Sequence, residues 1–60
     1  MGEKLIRAMR RSDLTQSDLA LRLGISKAMV SGMCNGIKTP SAPLLKRMAE
    51  VLDCKMEDLI

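Results

Sequence analysis

The side chains able to do covalent or metal chemistry in this sixty-residue chain are few, and they are poorly placed for it. There is no histidine, and the two cysteines, Cys34 and Cys54, have no further ligands at the spacing of a zinc site. The chain has no nucleophile elbow, no glycine-rich phosphate loop and no pair of carboxylates set in an evident cleft, which argues against an enzyme. What remains is the chemistry of cations and hydrogen-bond donors. Of ten lysines and arginines, nine lie between Met1 and Arg47 beside only three acidic residues, whereas Met48 to Ile60 carries Lys55 against Glu50, Asp53, Glu57 and Asp58. That asymmetry suggests a basic working face and an acidic far end. Inside the basic part lies GISKAMVSGMCNG, Gly24 to Gly36, framed by glycines and short of long polar side chains.

Two cysteines are too few for the disulfide framework of a small secreted domain, and no apolar leader opens the chain, so reduced structural thiols in a cytoplasmic protein are expected. No run of about 18 apolar residues is present to cross a membrane. A chain of this length buries only about 60% of the surface its unfolded form exposes, so residues 1–60 make one domain with a small core. With no Phe, Tyr or Trp, that core must come from Leu, Ile, Val, Ala and six Met, the last serving as adaptable filler.

The elements that must carry these groups are helical. Leu5, Ala8 and Met9 make an apolar stripe on a helix from about Glu3 to Arg11, with Lys4, Arg7, Arg10 and Arg11 outward. Asp13 and Leu14 connect it to TQSD, Thr15 to Asp18, which has the form of a capping box and starts a second helix at Gln16. Leu19, Ala20 and Leu23 face inward, and Gly24 stands where a left-handed residue stops the helix. Ser26 caps a third helix, Lys27 to Cys34, which the Asn35-Gly36 pair ends. Two short helices meeting across about three residues form a helix-turn-helix. After IKTP, Ser41 caps a fourth helix that accepts Pro43 in its first turn and buries Leu45, Met48, Ala49 and Leu52. A last short helix is expected over about Met56 to Leu59, although Lys55 is a poor cap for it.

Taken together, Gln16 to Asn35 meet several independent requirements: a small residue where two helices approach, a glycine at the turn, and Leu19, Leu23, Ile25, Val30 and Met33 inward. At these residues the chain resembles the lambda-repressor-like (Cro and repressor type, XRE-like) helix-turn-helix domains of phage and bacterial regulators. The resemblance covers Leu5 to Leu59 and rests on LTQSDLALRLGIS, on VSGMCNGIKTP with its Gly36 and Pro40, and on LLKRMAEVLDCKMEDLI. It implies an all-α, compact five-helix domain whose helices 2 and 3 form the helix-turn-helix. It also implies sequence-specific binding of double-stranded DNA as a homodimer; the residues themselves suggest no metal, cofactor or small-molecule ligand.

The residue roles implied by the resemblance agree with the chemistry of the side chains. Gln16 and the free amides at the start of helix 2 would meet a phosphate, with Ser26 close by, while Asn35 and Lys38 would hold the backbone on the other side. Lys27, Ala28, Ser31 and Gly32 would lie on the face that reads base edges in the major groove. Lys27 can donate to guanine O6 and N7, the Ala28 methyl can pack on a thymine methyl, and Ser31 can bond several bases, whereas Gly32 contributes no side chain. Such sparse readout leaves much of the affinity to phosphate contacts and DNA deformability. Gly32 costs about 1 kcal/mol relative to alanine within a helix, which implies either a close approach of the backbone to DNA or a partner there or no selection for added stability.

One departure from the family can be checked. Many members pair an Arg on helix 1 with a Glu near the end of helix 3, and the matching positions here are Met9 and Cys34. Both partners have become apolar, so Met9 and Cys34 are expected side by side and buried, and Cys54 is expected in the core. Pro40, Pro43, Met56, Leu59 and Ile60 are the candidate contacts between two copies, and EDLI ends either a whole Cro-like protein or a DNA-binding domain cut from a longer repressor. Two other functions fit the same scaffold: an antitoxin that binds DNA and sequesters a toxin, and a protein-interaction module that does not read DNA.

Overall fold

The apolar spacing is realised as four α-helices and no strand in a computed structural model that describes residues 1–60: α1 (Gly2–Arg11), α2 (Gln16–Leu23), α3 (Lys27–Cys34) and α4 (Ala42–Val51). The starts of α2, α3 and α4 follow the expected caps. Thr15, Ser26 and Ser41 each accept an amide hydrogen three residues on, from Asp18, Met29 and Leu44. Pro43 sits in the first turn of α4, where its missing amide would have no helical partner.

The expected fifth helix is corrected. Met56–Asp58 forms a single 3-10 turn instead. Lys55 offers no side-chain oxygen to cap a helix, and Leu59 enters the core directly after the turn, which leaves too few residues to propagate an α-helix.

All four helices end in the same way, which only Gly24 and the Asn35-Gly36 pair announced in advance. At each end one amide bonds back across six residues and its predecessor across four, the Schellman pattern that satisfies the last carbonyls. Thus Leu14 donates to Met9, Ile25 to Ala20, Ile37 to Gly32 and Cys54 to Ala49, at 2.9–3.1 Å. The residue before each donor is left-handed: Asp13 (φ 55°), Gly24 (φ 70°), Gly36 (φ 75°) and Asp53 (φ 52°). Aspartate is among the few side chains that tolerate this region.

The core is built from one stripe per helix: Leu5, Ala8 and Met9; Leu19, Ala20 and Leu23; Val30, Met33 and Cys34; Leu45, Met48 and Ala49, closed by Leu52 and Leu59. No polar or charged side chain is buried. Met9 and Cys34 meet as expected, the thiol pointing at the thioether with Sγ and Sδ 3.8 Å apart. This soft contact joins α1 to α3 without the desolvation cost of a buried ion pair. Restoring one charge alone by Met9→Arg is expected to cost about 3–5 kcal/mol in urea unfolding, and adding Cys34→Glu is expected to recover most of that loss.

Candidate nucleic-acid interface

The segment Gly24, Ile25 and Ser26 is all that separates α2 from α3, and its geometry decides where α3 points. Ile25 packs against the core just past the left-handed glycine, so the chain turns and at once begins the next helix. A third element fixes the turn from outside. The Arg47 guanidinium of α4 donates to the Leu23 carbonyl at 2.9 Å, at the last residue of α2. Nothing local in the sequence signals this contact, because the two residues lie 24 positions apart.

Two helix N-termini open on either side of the turn. At α2, Thr15 and Asp18 complete a reciprocal capping box at 3.1 and 3.0 Å, which occupies the Asp18 amide and leaves those of Gln16 and Ser17 unpaired within the helix. At α3, Ser26 Oγ accepts from the Met29 amide at 3.1 Å, so its own hydroxyl hydrogen and the amides of Lys27 and Ala28 stay available. Both ends suit a phosphate. The Gln16 side chain is half-buried and lies beside the Cys34 thiol, on the inward side of α2.

Helix α3 exposes Lys27 and Ala28, and Asn35 just past its end is exposed too, with Ser31 and Gly32 half-covered between them. Eight residues make a rod about 12 Å long, and an α-helix with its side chains is about 10–12 Å across, a diameter that a major groove of about 12 Å admits. Gly32 is covered by this chain itself: a methyl group added there falls 2.9 Å from Cγ and Cδ of Lys38. Within the chain, the close neighbour of Gly32 is a lysine stem. Lys38 itself is exposed.

The residues considered for contact between copies separate sharply. Pro43, Met56 and Ile60 are exposed, but Pro40 is buried and Leu59 is 0% exposed within its own chain. An intermolecular role for Leu59 and Pro40 is corrected accordingly, because their side chains are spent on this fold. Leu21 on α2 and Ile37 after α3 are the most exposed large apolar side chains, at 83% and 78%, and neither was singled out by sequence reasoning. Cys34 is buried and Cys54 half-buried, both unpaired, and burial is the main cause that raises each thiol pKa. Asp58 and Asp53 push Cys54 further up, while Arg11 opposes them.

Two outcomes follow for the frame of this face. Arg47→Met is expected to lower stability by about 1 kcal/mol in urea unfolding, the scale of one partly exposed hydrogen bond. The Asp18 carboxylate lies below its ordinary pKa of 3.8, chiefly through the hydrogen bonds with the Thr15 amide and hydroxyl and slightly through Arg22. A lowered folded-state pKa means that its contribution is complete above pH 3.8 and is lost as pH falls below that value. The Thr15 amide resonance is therefore expected to titrate in the acid range, and Asp18→Asn is expected to abolish that titration.

Comparison with known proteins agrees with this geometry. A family model described as helix-turn-helix matches residues 5–59. Comparison with curated proteins and with solved structures returns no significant match. With α2 and α3 joined across three residues and a match spanning nearly the whole chain, the protein belongs to the lambda-repressor-like helix-turn-helix family of DNA-binding transcription regulators.

Proposed function

We propose that the chain is a repressor that binds a palindromic operator as a homodimer, with α3 of each copy in the major groove. The observation that carries this reading is the juxtaposition of an exposed α3 with two capped helix N-termini that each keep two free amides beside it. Lys27, Ala28 and Ser31 face base edges, and Gly32 lies on the same helix face. Gln16, Ser26 and the first amides of α2 and α3 hold one strand's phosphates, Asn35 flanks the far end, and the exposed Lys38 reaches the duplex beside it. Two-fold pairing spaces the half-sites about one helical turn apart, through a surface that includes Pro43, Met56 and Ile60.

With one long donor, one methyl and one short hydroxyl at the bases, electrostatic attraction to phosphate supplies much of the affinity. Selection of bound duplexes from a random pool tests the reading: a palindromic consensus is expected, with affinity falling steeply as salt rises. Lys27→Ala is expected to cost about 1–3 kcal/mol and to relax the preference at one position of each half-site. A Lys27→Ala variant with unchanged consensus and affinity removes Lys27 from the reading face. Absence of any salt-sensitive gel shift leaves the interaction-module function in its place.

A further inference from the structure

We propose that Lys38, which lies outside α3, is a base-reading residue that uses Gly32 as its seat; the inference rests on the duplex-binding function proposed above. Gly32 lies on the outward face of α3, four residues after Ala28 and next to Ser31. A side chain there would displace the lysine, because Cγ and Cδ of Lys38 lie 2.9 Å from where its first carbon would stand and Cβ 3.4 Å from it. The lysine stem therefore occupies the space on the helix surface that a residue at position 32 would fill.

The backbone fixes the base of that stem beside Gly32. The Gly32 carbonyl accepts both the Ile37 amide at 2.9 Å and the Lys38 amide at 3.1 Å, so the residue that is covered also anchors the one that covers it. Beyond Cδ only two more bonds lead to the ammonium, which stays at the exposed surface with no carboxylate within ion-pair distance. The negative end of the α3 dipole lies nearby and favours a cation.

A lysine that only neutralises phosphate does not need such a seat, since a mobile ammonium serves as a point charge. Reading a base edge does need it, because the donor must reach defined acceptors, guanine O6 and N7 in the major groove. The seat also accounts for a glycine within a helix, where alanine would be more stable. It places a donor on the C-terminal half of α3, where Ala28, Ser31 and Gly32 leave direct readout thin.

The test is duplex selection with wild-type protein, Lys38→Ala, Gly32→Ala and Lys27→Ala, each checked for helicity by circular dichroism. Wild type is expected to select a guanine in each half-site that Lys38→Ala no longer prefers, a loss of discrimination of about tenfold at that position. Gly32→Ala keeps the lysine but takes away its seat, and it is expected to lose the same preference; Lys27→Ala is expected to lose a different one. If Lys38→Ala weakens all duplexes alike and leaves the consensus unchanged, Lys38 is a phosphate contact and the inference is overturned. If Gly32→Ala retains the preference, the seat is overturned. A wild-type protein that selects no consensus at all overturns the duplex-reading function itself, a result distinct from both.

Discussion

Between Leu23 and Lys27 the chain must turn sharply within three residues while pairing most of the carbonyls at the end of α2. A left-handed residue solves the geometry, and the bonds from Gly24 to Leu21 and from Ile25 to Ala20 satisfy the backbone. Arg47 then reaches across from α4 to the Leu23 carbonyl, so the angle of α3 is tied to a helix that touches neither side of the turn in sequence. Everything assigned to the exposed face presupposes this joint. The free amides at the starts of α2 and α3, the face bearing Lys27 and Ser31, and the Lys38 stem over Gly32 keep their relative positions only while it holds.

The same backbone device closes all four helices, and the comparison among them is informative. In each case the residue that makes the long bond is apolar: Leu14, Ile25, Ile37 and Cys54. Three of these pack against the core, as the motif favours. Ile37 is 78% exposed, so at the end of α3 the motif orients the following loop without supplying burial. There the packing that matters is the one between the Lys38 stem and Gly32.

A core without aromatic rings has to obtain complementarity from flexible parts. Met33 and Met48 are fully buried, and Met9 meets the Cys34 thiol where two charged side chains would each need a partner. Thioethers adapt to irregular space, and a thiol is small and weakly polar, so the α1–α3 contact closes without a buried unpaired group. The Gln16 side chain at the start of α2 lies beside the same thiol.

Local chemistry determined most of the helical plan. Caps at Thr15, Ser26 and Ser41, the left-handed glycine after Leu23 and the apolar stripes are legible because each acts within about one turn of helix, a distance that sequence spacing encodes directly. Even the Met9–Cys34 contact was foreseeable, since both positions had changed together relative to a known family. The sequence alone did not distinguish a short α-helix from a 3-10 turn at Met56–Asp58, or an exposed Leu59 from a buried one, because apolar residues near a chain end suit either a core or a partner. Only tertiary structure decided that Leu59 fills this chain's own core, that Arg47 grips the end of α2, and that Lys38 lies across Gly32. Each of those depends on where a third element stops in space, and no spacing along the chain records that distance.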